Sequence, residues 1–196
     1  MSTLPSHEII SSKSCYNGAM EAGAVLELYS YLSAHGVQIW IDGGWCVDAL
    51  LGRQTREHPD LDIALDRKDA ARFLDLMVAS GYAKRQSDDD TDWNYVLEDG
   101  SSHQVDVHVF EYGASGENTY GIEYPYGALT GQGKINGQVV NCVAPEWMFK
   151  FKTAYAPKEK DLKDVRALSE KFGFKVPATW GLSPSPPDDT SRTSLS

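Results

Sequence analysis

The chain has 196 residues, 41% of them hydrophobic, with 5 Trp, 10 Tyr, 6 Phe and a formal net charge of -10. That supports one domain with a real core and at most a small appendage. The negative balance excludes broad binding to a polynucleotide backbone, which needs a positive footprint. It leaves room for a nucleotide, whose charge a divalent cation and a few basic side chains can meet.

No apolar run approaches the roughly 20 residues of a membrane span. The N-terminal stretch MSTLPSHEIISSKSC lacks the charged and apolar regions of a signal peptide. A cytoplasmic protein with no membrane partner is expected. Cys15, Cys46 and Cys142 form no CxxC pair. Neither a disulfide framework nor a structural zinc site is indicated, and free, semi-buried thiols are expected.

In chain order, residues 1–15 are polar and mixed and read as a flexible arm before a domain spanning 16–175. From Gly18 to His35, Met20, Ala24, Leu28 and Tyr31 recur at helical spacing, with Gly36 as terminator. Val37 to Ile41 reads as a buried strand that stops at the turn Gly43-Gly44, and Cys46 to Leu51 as a short helix ending at Gly52. Leu61, Ile63 and Leu65 alternate with Asp60, Asp62 and Ala64, which predicts a strand with one apolar face. Asp66 is placed to cap a helix over Arg67 to Ser80, with Phe73, Leu74 and Met77 inward and Gly81 closing it.

Ser87 to Asp92 is an acidic loop. Asn94 to Glu98 and His103 to Phe110 form a hairpin around Asp99-Gly100; Val105, Val107 and Val109 share one face, Asp106 and His108 the other. Residues 111–133, rich in Gly and Tyr, read as a long irregular loop with room for one short strand. Asn136-Gly137 marks a hairpin over Lys134 to Cys142. Pro145 and Glu146 open a helix to about Tyr155, Pro157 interrupts it, and a last helix runs from Asp161 to Phe172, giving closing helices at about 145–172. Residues 176–196 are Pro- and Ser-rich and are expected to be a disordered tail.

Chemistry concentrates between Ile39 and Leu65. Side chains two apart on a strand point the same way about 7 Å apart, so Asp60 and Asp62 share a polar face. Asp106 has the same parity on its own strand. If the two strands are neighbours, three carboxylates converge, and crowded like charges need a cation. Oxygen donors of this kind suit Mg²⁺, which takes one or two carboxylates plus phosphates and water. Gly43-Gly44 lets backbone N–H groups approach a phosphate, and Arg53 and Arg56 could meet its remaining charge.

Taken singly, each feature has an ordinary reading. Gly-Gly is a turn, Asp-x-Asp a solvated strand edge, Asp106 an exposed strand residue, Arg53 and Arg56 surface charges. His58 is a loop residue holding the backbone by a hydrogen bond. In the region after Phe110, Tyr112, Tyr120, Tyr124 and Tyr126 either line a ligand pocket, stacking on a sugar or covering a cation, or anchor a loop. Asp88 to Asp90 and Glu111 either attract a cationic small molecule or are solvated. What raises the odds of a site is the order: glycine turn, spacer, paired carboxylates, later strand carboxylate.

That order resembles the nucleotidyltransferase superfamily of DNA polymerase beta and the antibiotic nucleotidyltransferases. Within it, Asp42 to Trp45, Gly52 to His58 and Asp60 with Asp62 are similar to the Asp-Gly-Gly-Trp, Gly-x-x-x-Arg-x-His and Asp-x-Asp motifs of the lincosamide and aminoglycoside 2″-nucleotidyltransferase branch. VDVHVF around Asp106 and His108 is similar to the third-carboxylate strand, and Lys152 to Leu168, with Tyr155, Asp161 and Asp164, to the closing helices. The likeness covers about residues 20–172. Where other superfamily members have Gly-Ser, this chain has Gly44, so any phosphate contact there is made by backbone.

The resemblance implies an α+β fold, a small mixed β-sheet with helices packed on it. It implies transfer of a nucleoside monophosphate, AMP from ATP or another NTP as co-substrate, to a hydroxyl of a small molecule of aminoglycoside or lincosamide type. Asp60, Asp62 and Asp106 would hold Mg²⁺, with two ions expected, and Asp106 would be a ligand or take the acceptor proton. Gly43, Gly44, Arg56 and Lys152 would contact the nucleotide phosphates. No nucleic-acid polymer is expected as partner, and the sequence sets no oligomeric state, a dimer being compatible with it. Two other readings stay open: a metal-dependent phosphohydrolase built on His58, Asp60, Asp62, Asp106 and His108, and a relative that modifies a protein or RNA.

Overall fold

The computed structural model describes residues 19–87 and 89–181. The expected arm at 1–15, Cys15, and the tail beyond Gly181 lie outside the described residues. The fold is α+β, as expected, with a mixed sheet. Its strands are β1 (Ile39–Ile41), β2 (Asp60–Asp66), β3 (Ala83–Lys84), β4 (Asn94–Glu98), β5 (Gln104–Tyr112), β6 (Asn118–Gly121), β7 (Gly131–Ile135) and β8 (Gln138–Cys142). They lie in the order β3-β4-β5-β2-β1-β8-β7, with β6 pairing β5. The helices are α1 (Ala22–Ala34), α2 (Gly43–Leu51), α3 (Ala70–Ala79), α4 (Pro145–Thr153) and α5 (Glu159–Phe172). Among the described residues, no helix is long and apolar enough to cross a membrane.

The central pair is β2 with β5, which run parallel and in register from Asp60 opposite Gln104 to Asp66 opposite Phe110. Their inward residues Leu61, Ile63, Leu65, Val105, Val107 and Val109 are all buried and form the middle of the core. Because strand parity is two, the same register puts Asp62 directly across from Asp106 and stacks the carboxylates on the other face. Turn chemistry holds as read. Gly36, Gly52 and Gly81 adopt positive φ where they close α1, α2 and α3, and Asn136 and Gly137 do so in the β7–β8 hairpin. The Asp66 side chain accepts the Lys68 N–H, though a 3₁₀ turn over Arg67–Asp69 precedes α3.

Three readings shift. The buried face of α1 is Val25, Leu28 and Leu32, not the one containing Ala24 and Tyr31. The helix starts only at Ala22, and Met20 is buried from the segment before it, where its N–H donates to the His58 carbonyl. Gly43 and Gly44 are not a turn ahead of a helix but the first residues of α2, with Asp42 as N-cap accepting the Gly43 N–H. The packed chain also runs past residue 176: a 3₁₀ turn at Ala178–Trp180 buries the Trp180 indole, and Val176 packs on the core. Cys46 and Cys142 are free, and fully buried.

Candidate active site

The α2 N-terminus, the polar face of β2 and β5, the strap Ile122 to Tyr124 and the closing helices α4 and α5 surround a cleft of about 590 Å³. Asp62 and His108 line it, and together with Asp106 each offers a ligand atom, all within 4.8 Å of one another. Asp60 lines the same cleft one pleat along β2, opposite Gln104 rather than a carboxylate. The compact group is thus Asp62, Asp106 and His108.

The electrostatics of this face call for a cation. Burial, then the neighbouring charges of Asp60 and Asp42, push the Asp62 carboxyl up to about 7. Asp106 is also raised, first by burial and then by Asp60 and Asp42 against the relief given by His108. His108 bridges the group: its Nε2 is 3.5 Å from Asp106 Oδ1 and its Nδ1 3.7 Å from Asp42 Oδ2. Burial disfavours the imidazolium, but Asp42, Asp106 and Asp62 outweigh it and raise its pKa to about 9. A buried carboxylate crowded by like charges, with oxygen donors converging on one point, fits a hard divalent ion.

Asp42 closes the back of this arrangement. It is buried, and it accepts from the Gly43 N–H at 2.7 Å and from the Tyr124 hydroxyl at 2.6 Å. Burial opposes its ionisation, yet His108, Tyr124 and the Gly43 amide hold its pKa below the usual carboxylate range. Tyr124 thereby ties the strap to the cap of α2. Of the four tyrosines after Phe110 it is the one that lines the cleft. Tyr112 packs on Phe110, Tyr120 lies under Arg67, and Tyr126 is exposed.

Both glycines are required by close approach. Gly43 has φ +59°, and a Cβ there would overlap the Asp62 carboxylate. A Cβ on Gly44 would run into the His58 ring and the Arg56 guanidinium. We expect Gly43→Ala to lose about 1–2 kcal/mol of stability from the strained backbone. It should also weaken Mg²⁺ binding by displacing Asp62; a thermal melt with and without Mg²⁺ that matches the parent in both states would contradict this.

Arg56 reaches the cleft but is not free. Its Nε and Nη2 donate to the two Asp164 oxygens at 3.1 and 3.0 Å. Lys152, buried, lies 3.1 Å from Asp164 Oδ2 and 3.6 Å from Asp161 Oδ1. Asp161 also accepts from the Tyr155 hydroxyl at 3.0 Å. Carboxylates of α5 therefore orient both cations named from the sequence. Lys158 and Lys160 add positive charge at the mouth. Arg53 is exposed and takes no part, and Glu111 faces away, paired with Arg67 at 2.8 Å.

His58 is not a ligand. It is buried, its Nε2 lies 2.5 Å from Asp48 Oδ2, and its ring packs on Trp45. Asp48 also accepts the Thr55 N–H and hydroxyl, which fixes the loop carrying Arg56. Sequence reasoning missed Asp48. The available signal was an acid inside an otherwise buried helix, which must find a partner.

Paired carboxylates on adjacent parallel strands, facing a glycine-opened helix N-terminus, define a nucleotidyltransferase fold and enzyme class. The chain belongs to the aminoglycoside-2″-adenylyltransferase family, whose model matches residues 24–168. It is similar to a lincosamide resistance protein of Staphylococcus haemolyticus, 25% identical over 152 residues, covering 74% of this chain and 89% of that one. A 2″-aminoglycoside nucleotidyltransferase of Escherichia coli is 40% identical over 47 residues, 22% of this chain and 27% of that one. Two solved structures share the fold, each at a TM-score of 0.64. One is a lincomycin-bound lincosamide antibiotic adenylyltransferase, 21% identical over 74% of this chain and 94% of that one. The other is ANT(2″)-Ia with adenylyl-2″-tobramycin, 20% identical over 76% and 88%.

Proposed function

We propose that this enzyme transfers a nucleoside monophosphate, AMP from ATP, to a hydroxyl of a small molecule of the lincosamide or aminoglycoside type. The acceptor oxygen bonds to the α-phosphorus, the bond from that phosphorus to the pyrophosphate oxygen breaks, and the acceptor proton passes to Asp106. Asp60, Asp62 and Asp106 would hold Mg²⁺, which when bound neutralises phosphate charge and favours loss of pyrophosphate. Gly44 offers its backbone N–H at the α2 N-terminus, and Gly43, whose N–H is held by Asp42, leaves the approach free of any Cβ. Arg56 and Lys152, oriented by Asp164, meet the phosphates, and His108, charged at neutral pH, stands beside Asp106 to steady it.

The observation that carries this reading is the in-register pair Asp62 and Asp106 facing those glycines. The phosphohydrolase alternative loses a ligand, since His58 is buried against Asp48. The negative charge of the chain disfavours an RNA acceptor. We further propose that residues 16–175, extended by the packed segment to Trp180, act as one catalytic domain in the cytoplasm.

The test is incubation with Mg²⁺, each NTP in turn, and a panel of lincosamides and aminoglycosides, followed by mass spectrometry. A drug heavier by one nucleoside monophosphate, with ATP as preferred donor and no product in chelator, is expected. Nucleotide attached only to protein or RNA, or phosphate released with no acceptor product, would refute it.

A further inference from the structure

The carboxylates lining the cleft can be accounted for one at a time. Asp42 is engaged by the Gly43 amide and the Tyr124 hydroxyl. Asp161 lies beside Lys152 and accepts from Tyr155. Asp60 and Asp62 belong to the face that needs a cation. Glu123 remains: it is exposed, lines the cleft, and has no hydrogen-bond or ion-pair partner among the described residues.

The cleft that Glu123 lines also has an apolar part. Ile122 precedes it, Met148 and Phe151 line the same cleft, and the Tyr124 ring meets Phe151 edge-on with centroids 6.0 Å apart. The remaining charged lining is positive: Arg56, His108, Lys152, Lys158 and Lys160. Those cations suit a polyphosphate. They do not suit several ammonium groups entering beside it.

We propose that Glu123 is the acceptor-recognition residue and that it selects an acceptor with a single ammonium beside an apolar flank. This rests on the nucleotidyl-transfer reading above and narrows its acceptor. A monocation makes one charge-assisted contact with Glu123 and buries its flank against Ile122, Met148 and Phe151. A polycation leaves ammonium groups desolvated without a carboxylate and close to fixed like charges, which is a penalty against the wrong partner.

Lincomycin, with one basic nitrogen, and tobramycin, a polyamine, are the probes. With ATP and Mg²⁺, kcat/KM is expected to favour lincomycin by about tenfold or more. Glu123→Gln is expected to raise the lincomycin KM by about tenfold, the weight of one charge-assisted contact, while the ATP KM stays put and Glu123→Asp recovers part of the loss. A merely structural glutamate would move both KM values or the melting temperature instead.

Preference for tobramycin, or a lincomycin KM indifferent to Glu123→Gln, overturns the proposal while leaving nucleotidyl transfer standing. If neither drug gains mass, transfer to these acceptors is refuted separately. Calorimetry of lincomycin with the protein and a non-hydrolysable ATP analogue then still reads the acceptor claim: absence of binding, or equal binding by Glu123→Gln, sinks it.

Discussion

Asp106→Asn is expected to abolish pyrophosphate release while the protein stays folded. The substitution keeps the size of the side chain and removes one carboxylate from a face where Asp62 already sits near pKa 7. Transfer should fall by about 10²–10³-fold or more, the scale of losing one group that stabilises developing charge. Stability without Mg²⁺ should hold or rise slightly, since a like charge has gone. The stabilisation that Mg²⁺ confers by mass action should shrink. Near-normal turnover in a pyrophosphate-release assay would remove Asp106 from the reaction. A collapsed melting temperature would instead make it a structural residue.

The second large effect is expected at Asp164, which does not itself line the cleft. Its carboxylate is 1% exposed and holds Arg56 through two bonds and Lys152 through one. Asp164→Leu leaves Arg56 without its carboxylate partner and Lys152 with Asp161 alone. Breaking a buried pair from one side costs about 3–5 kcal/mol. The sign with pH follows. Burial opposes ionisation of Asp164, but Arg56 and Lys152 outweigh it and hold its pKa below the ordinary value. The stabilisation is therefore full above the unfolded pKa of about 4 and is lost as pH falls through the lower, folded value. Urea melts of the parent should show that loss below pH 4, and the variant should lack that share of it. A variant as stable as its parent at pH 7 would show that the clamp contributes nothing.

Most of the fold was legible because parity and turn residues are local. Alternation in Leu61 to Leu65 and Val105 to Val109 specified which face is core and, by the same count, where Asp62 and Asp106 point. Asn136-Gly137 and Gly52 marked their turn and cap directly. Partnership at long range was not legible. Arg56 reads as a phosphate ligand or a surface charge, and nothing near it discloses Asp164, 108 positions on. Glu123 lacks any signature of its own; it stands out only once Asp42 and Asp161 are seen engaged and Asp60 and Asp62 placed on the face that needs a cation. Asp42 was visible as part of a motif, but its bond to Tyr124 joins segments 82 positions apart. The α1 face differs by one position because the helix begins after Met20, a buried residue ahead of it that fits the helical spacing.

The Arg56–Asp164 clamp has a consequence for how the molecule comes into being. Synthesis delivers β2, β5 and the Arg56 loop before α5. Until α5 arrives with Asp161 and Asp164, Arg56 and Lys152 lack the carboxylates that orient them. A nascent chain still tethered at that stage would display the carboxylate face with both cations unoriented. Their orientation is therefore acquired late, when α5 docks, and not when β2 and β5 first pair.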